Sequence, residues 1–166
     1  NGAKAVGLNV GAYHFSYANS VSAAVQEANS MLAVIGNYKL EYPLYFDYEY
    51  ASDNLGGNPG KTELTNRAIA FMNTLKNAGY YPGLYLNRDF YVNRYNISSL
   101  SSYDLWLSDP SHSTPTYSCR LHQTGIGETG STWPGVSGYC DTNKAYFDYP
   151  NTIKSLSLNG YTTEVI

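Results

Sequence analysis

The fold of this chain is decided by the segment Pro43-Leu-Tyr-Phe-Asp-Tyr-Glu-Tyr50. Period-two alternation places Tyr45, Asp47 and Glu49 on one face of a β-strand, with the intervening residues on the other. Strand rise sets the α-carbons of the two acids about 6.6 Å apart, close enough for one charge to raise the proton affinity of the other acid. Because both faces carry large aromatic groups, the pattern favours a catalytic acid pair. A solvent-facing strand edge with idle acids remains the alternative.

Helices are predicted on both sides of this strand. Residues 21–35 carry apolar side chains at helical spacing and follow Asn19 or Ser20, either of which can serve as the N-cap. A second helix of the same pattern is predicted to begin near Thr62 and to end at Gly79.

Short apolar or aromatic runs bounded by glycine and proline predict strands. They cover residues 8–15, 42–49, 81–87, 104–108, 118–124 and 138–142. In the first two thirds of the chain, strands alternate with helices, which indicates parallel strands joined by helical crossovers in an α/β sheet or barrel. The last three runs lie too close together for full crossover helices, so antiparallel or irregular connections are expected there.

The start of the chain predicts an incomplete barrel. Residues 1–7 are typical of the last turn of a helix that stops at Gly7, and no strand precedes that helix. An eight-stranded barrel normally takes about 200 residues or more. We therefore expect residues 1–166 to form a single domain whose first strands are missing.

Composition excludes several classes of function. Charged residues make up only 14 % of the 166 residues and the net charge is −3, so nucleic acid is not an expected partner. No apolar run approaches the about 20 residues that span a bilayer, so membrane insertion is not expected either. Residues 56–62 match a phosphate-binding loop only at their end. The histidines have no metal-ligand spacing, and neither a metal nor another cofactor is predicted.

The two cysteines, Cys119 and Cys140, form neither a C-x-x-C pair nor a zinc pattern. If residues 118–124 and 138–142 pair as a hairpin, the two thiols come close enough for a disulfide, which would indicate an oxidising compartment. Free thiols are the alternative.

Two further residues are candidates for chemistry. Asp141, two residues before Asn143, is a possible third acid at a strand end, but the same residues are equally typical of a turn. His14 lies within a predicted strand, where a packing role is favoured over a catalytic one.

Several segments, in this order, resemble the family 25 glycoside hydrolases, the Chalaropsis-type lysozymes. They are Gly11-Ala-Tyr-His-Phe15, residues 43–49, Tyr81-Pro-Gly-Leu-Tyr85, Leu105-Trp106-Leu107, Gln123, and Pro134-Gly-Val-Ser-Gly138 followed by Asp141 and Asn143. Each motif is short, but the ordered set covers nearly the whole chain.

This resemblance implies an α/β fold of the TIM-like (βα)5β3 barrel type, incomplete at the N-terminus. It implies an N-acetylmuramidase that hydrolyses the β-1,4 bond between N-acetylmuramic acid and N-acetylglucosamine in bacterial peptidoglycan. Carried over by motif, Glu49 is the general acid, Asp47 its charged partner and Asp141 a third catalytic acid. The implied substrate-binding residues are Tyr13, Tyr85, Trp106 and Gln123.

The resemblance also sets the alternatives. The family's first strand carries an aspartate, and this chain begins after it, so a glycan-binding remnant that does not cut is the second hypothesis. A second chain or segment that supplies the missing strands is a further expected partner. The implied site of action is extracellular, reached either by secretion or as a phage endolysin.

Overall fold

The computed structural model describes residues 1–162, which form an α/β domain around one sheet. The strands are β1 Ala12–Phe15, β2 Leu44–Asp47, β3 Pro82–Asn87, β4 Asp104–Ser108, β5 Leu121–Gly125 and β6 Thr142–Ala145. The helices are α1 Gly2–Ala5, α2 Val21–Ile35, α3 Asp53–Gly56, α4 Lys61–Asn77 and α5 Tyr149–Ser155. Short helical turns cover Tyr50–Ser52, Phe90–Arg94, Ile97–Leu100 and Gly127–Thr129.

The six strands lie in the order in which they occur in the chain. β1 to β5 are parallel neighbours, and β6 pairs antiparallel with β5. The predicted parallel arrangement of the first three strands is therefore confirmed, as is the change of direction near the end of the chain. Within residues 1–162, β1 and β6 do not pair with each other, so the curled sheet is an open half-barrel.

The two long helices match their predictions closely. α2 has the predicted bounds, and the Ser20 hydroxyl caps it by accepting a hydrogen bond from the Ala23 amide at 3.1 Å. α4 begins at Lys61, one residue earlier than expected. The two helices pack against each other on the outer face of the sheet. There the ring centroids of Phe46 in β2 and Phe71 in α4 are 5.0 Å apart.

Strand β2 is buried along its whole length, as is usual for a central parallel strand covered on both faces. Phe46 belongs to the core between the sheet and the long helices, whereas Tyr45 belongs to a smaller core on the inner face with Tyr149 of α5. The alternation in the sequence thus separates the two layers of the domain.

The predicted strand bounds are wrong at both edges of the sheet. β1 begins at Ala12, and Leu8 before it is exposed. Residues 138–141 do not form a strand, because Cys140 instead makes an isolated antiparallel bridge with Ser131, and β6 begins only at Thr142.

The predicted disulfide is wrong, because Cys119 and Cys140 are both free thiols. Leu121 pairs with Ala145 and Gly125 with Thr142 across the β5–β6 ladder. Cys119 precedes β5 and so lies beyond one end of the ladder, whereas Cys140 precedes β6 and lies beyond the other. The argument for an oxidising compartment therefore loses its structural basis.

Candidate active site

A cleft of about 340 Å³ lies at the carboxyl ends of the parallel strands, the end at which barrel enzymes carry their active sites. Its lining residues are Tyr13, Phe15, Asp47, Glu49, Tyr85, Trp106, Gln123, Asp141 and Asn143. All seven catalytic or substrate-binding residues predicted from the sequence lie in this one cleft. Phe15 is not among the residues predicted from the sequence, although its position two residues after Tyr13, on the same strand face, is a signal for it.

Asp47 and Glu49, which we call the acid pair, differ in depth. Asp47 is the last residue of β2 and only 6 % exposed, whereas Glu49 lies beyond the strand end and is half-buried. Among the described residues, Asp47 Oδ1 has no hydrogen-bond partner. Burial, reinforced by the negative charge of Glu49, raises the pKa of Asp47 to about 8. At neutral pH the Asp47 carboxyl is therefore mostly protonated.

The depth of the two acids is not predicted by the sequence. The resemblance gave Asp47 the role of the charged partner and Glu49 that of the protonated acid. In the structure the Asp47 carboxyl is the more enclosed of the two, and the roles of both acids stay predictions. Alternation showed that the two acids share a face, but it carries no information about how deep each one lies.

Hydrogen bonds and an ion pair connect the loop that follows Glu49 to the loop after β3. The Tyr50 hydroxyl donates a hydrogen bond to Asp89, and Arg94 forms a bidentate pair with Asp53 at 2.8 and 3.1 Å. These contacts hold the backbone just beyond Glu49 and so restrict where its carboxylate can lie in the cleft.

A chain of hydrogen bonds orients the third acid. The Tyr85 hydroxyl donates to Gln123 Oε1 at 2.9 Å, and Gln123 Nε2 donates to Asp141 Oδ2 at 3.0 Å. The Gly127 amide donates to Asp141 Oδ1 at 3.1 Å. Both carboxylate oxygens of Asp141 are thus held, and the amide of Gln123 links them to the wall of the cleft.

Trp106 forms the central aromatic surface of the cleft. The centroid of its ring lies 4.8 Å from the ring centroid of Tyr85, 5.1 Å from that of Tyr45 and 6.2 Å from that of Tyr13. Its indole Nε1 donates to Asn143 Oδ1 at 2.8 Å. Aromatic faces with polar handles suit sugar rings, which present apolar faces and hydroxyl edges.

The residues that flank Gln123 face away from the cleft. His122 Nε2 lies 3.0 Å from the carbonyl oxygen of Asp109, and the Thr124 hydroxyl bonds to the carbonyl of Thr142 at 3.1 Å. Because neighbouring strand residues point to opposite faces, only Gln123 of the three lines the cleft.

The histidines take no part in the cleft. His14 packs against Phe71, with 5.6 Å between ring centroids, and its Nε2 lies 3.2 Å from Glu27, as the packing hypothesis expected. Within residues 1–162, no cluster of three or more His, Cys, Asp and Glu side chains could hold a metal. Over the same residues, no helix has the length and apolarity to cross a membrane.

A larger cavity of about 640 Å³, near the amino ends of β3, β4 and β5, shares no lining residue with the cleft. Its enclosed acid Asp104 accepts hydrogen bonds from Tyr149 at 2.8 Å and Tyr81 at 3.2 Å and lies 3.4 Å from Arg120. Burial raises the pKa of Asp104. Because these partners already hold its carboxyl, we regard this network as structural and assign the chemistry to the cleft.

Comparison with known families decides the relationship. A family model described as Glycosyl hydrolases family 25 matches residues 1–129, which is more than half of the 166 residues. The chain belongs to glycosyl hydrolase family 25. A search of curated proteins gave no match.

Solved structures place the family 25 domain among similar folds. The CTP1L endolysin is 24 % identical, with a TM-score of 0.73 over 92 % of this chain and 52 % of its own. The LytC autolysin of Streptococcus pneumoniae is 23 % identical, with a TM-score of 0.70 over 86 % of this chain and 35 % of its own. A family 25 glycosyl hydrolase from Bacillus anthracis is 21 % identical, with a TM-score of 0.69 over 95 % and 71 %. The chain thus spans about half the length of the CTP1L endolysin.

Gln123 offers a test of the cleft in this family 25 domain. Replacement by Met keeps the length of the side chain but removes a partner from Tyr85 and from Asp141. We expect the free energy of unfolding to fall by about 1–3 kcal/mol, because Tyr85 and Asp141 each lose a hydrogen-bond partner; urea unfolding measures the change. Thr124→Ser, one residue away on the outer face, is the control. Parent-like stability in Gln123→Met would show that this chain of hydrogen bonds does not support the site.

Proposed function

We propose that this domain is a muramidase that hydrolyses the β-1,4 bond between N-acetylmuramic acid and N-acetylglucosamine in bacterial peptidoglycan. One observation carries the proposal: Asp47, Glu49 and Asp141 converge in an aromatic-walled cleft at the carboxyl ends of the parallel strands. Family membership supports it. So does the similar fold of LytC, which was solved in complex with a synthetic peptidoglycan ligand.

Cleavage of a glycosidic bond needs a proton for the leaving oxygen and negative charge near the oxocarbenium-like centre. The acid pair meets the first need because Asp47, with its pKa of about 8, keeps one proton in the pair at neutral pH. Glu49 lies beyond the strand end and nearer to solvent. We assign to Glu49 the transfer of a proton to the glycosidic oxygen as the glycosidic C–O bond breaks. Asp47, which shares the cleft, first passes its proton to Glu49 and is left as a carboxylate.

Asp141 is the third acid of the proposed mechanism. Gln123 and the Gly127 amide each hold one of its carboxylate oxygens, so the group is oriented before substrate enters. In this role it stabilises the positive charge that develops on the sugar ring or orients the acetamido group of the substrate as the nucleophile. Trp106 and Tyr13 supply the surface on which the sugar rings pack.

The test is digestion of purified, insoluble bacterial peptidoglycan by the 166-residue chain. A muramidase lowers the turbidity and releases fragments whose new reducing ends are muramic acid, identified by mass spectrometry after borohydride reduction. Reducing ends on N-acetylglucosamine would contradict the assigned bond. Sedimentation of the chain with peptidoglycan without new reducing ends would contradict hydrolysis and support the alternative, a glycan-binding domain that does not cut.

A further inference from the structure

A charged cluster follows the carboxyl ends of β3 and β4, two of the strands that supply residues to the cleft. We call Arg88, Asp109, His112 and Thr116 the rim cluster. Asp109 follows the last residue of β4, and its amide donates a hydrogen bond to the Gln123 carbonyl at 3.2 Å. The side chain of Gln123 enters the cleft, so the backbone that carries the rim cluster is directly bonded to a strand of the cleft.

Asp109 is the buried centre of this cluster, with a side chain 1 % exposed. Its carboxylate accepts hydrogen bonds from the Thr116 amide at 2.9 Å and from the Thr116 hydroxyl at 2.5 Å. His112 Nδ1 lies 2.7 Å from Asp109 Oδ1, and Arg88 Nε lies 3.9 Å from the same oxygen. One fixed carboxylate therefore places two basic side chains beside each other at the protein surface.

Arg88 has guanidinium N–H groups that are free to bind a ligand. Arg67, Arg94 and Arg120 each donate hydrogen bonds to protein groups. Among the described residues, the only ion-pair or hydrogen-bond contact of Arg88 is the 3.9 Å approach to Asp109, and its side chain is 47 % exposed. Its terminal nitrogens can therefore form a bidentate contact with an incoming carboxylate.

The charges of the cleft indicate which part of a substrate would lie here. The lining contains three acids and no basic residue, so it accepts neutral sugar rings better than a negatively charged group. A carboxylate on the substrate is repelled by the acids that line the cleft and is attracted to the basic side chains of the rim cluster.

We propose that Arg88, positioned beside His112 by Asp109, binds a carboxylate of the substrate's peptide stem at the rim of the cleft. This inference rests on the proposed function and adds a specificity determinant to it. In intact peptidoglycan the lactyl carboxyl of muramic acid is consumed in the amide bond to the stem. Free carboxylates therefore lie on the peptides, whereas removal of the stem exposes the lactyl carboxylate instead.

Binding measurements with three probes test the rim cluster. They are intact peptidoglycan, the same material with its carboxylates amidated by carbodiimide and ammonia, and amidase-stripped glycan strands used as competitors. We expect the parent chain to sediment with intact peptidoglycan about three- to tenfold more tightly than with amidated peptidoglycan, and rising salt to reduce the difference. Arg88→Gln should lose this preference. Lys154→Gln, which removes an exposed positive charge from α5, should keep it.

The outcomes separate the two proposals. Equal binding of both materials by the parent, or an Arg88→Gln variant that keeps the parent's preference, would overturn the rim proposal even if cleavage is normal. Stripped glycan that competes in an Arg88-dependent way, better than stem-bearing fragments, would overturn the stem as the source of the carboxylate. Arg88-dependent binding in a chain that releases no reducing ends would support the rim cluster and contradict hydrolysis.

Discussion

Glu49→Gln is expected to lower the release of muramic acid reducing ends from peptidoglycan by at least about 100-fold, the usual effect of removing a general acid. Gln preserves the size of the side chain but has no proton to give to the glycosidic oxygen. Because Trp106 and Tyr13 remain in place, binding to peptidoglycan should stay within about threefold of the parent. Initial rates and sedimentation binding, measured on the same preparations, separate the two effects.

Glu128→Gln is the matched control for this substitution, since Glu128 is an exposed acid on the loop between β5 and β6. It should cleave at the parent rate. If Glu49→Gln also cleaved at that rate, Glu49 would not be the acid, and Asp47 would remain as the proton-bearing carboxyl of the pair. If binding and cleavage fell together, Glu49 would serve mainly to hold substrate.

The core of this fold could be predicted because its sequence patterns are local. Helical spacing over residues 21–35 and alternation along β2 each follow from one layer packing against another, and both match the structure. The edges could not be predicted in the same way. Whether Cys140 lies in β6 or bridges to Ser131 depends on how the loop between these two residues folds back, which the alternation of apolar residues does not encode.

The candidate site shows the same division. Ordered motifs were enough to name seven residues that the structure brings into one cleft. The burial and the hydrogen-bond partners of these residues could not be predicted from the sequence, because both depend on side chains from neighbouring strands. The link from Tyr85 through Gln123 to Asp141 joins three separate segments of the chain, and the rim cluster around Asp109 joins two.

The ionisation of Asp47 makes the free energy of unfolding depend on pH. Its pKa is about 8 in the folded protein, against 3.8 for an unperturbed aspartate, because burial and the charge of Glu49 disfavour ionisation. Between about pH 4 and pH 8 the folded state therefore binds more protons at this position than the unfolded state. The contribution of Asp47 to stability is fully present below pH 4 and is lost as the pH rises through 8.

Asp47→Asn is accordingly expected to gain stability relative to the parent as the pH rises from 5 to 9. At about 1.4 kcal/mol per pH unit, the interval from pH 5 to the Asp47 pKa of about 8 sets an upper bound of about 4 kcal/mol on this change, and we expect about 2–3 kcal/mol after local relaxation. Urea unfolding of both proteins at several pH values measures the difference, in which all other titrating groups largely cancel. Glu49→Gln removes one of the two causes of the shift, so its stability should depend on pH less steeply than that of the parent. A difference between parent and Asp47→Asn that stays constant from pH 5 to pH 9 would show that Asp47 is already ionised in the folded protein, and would remove the basis for a proton held by the acid pair.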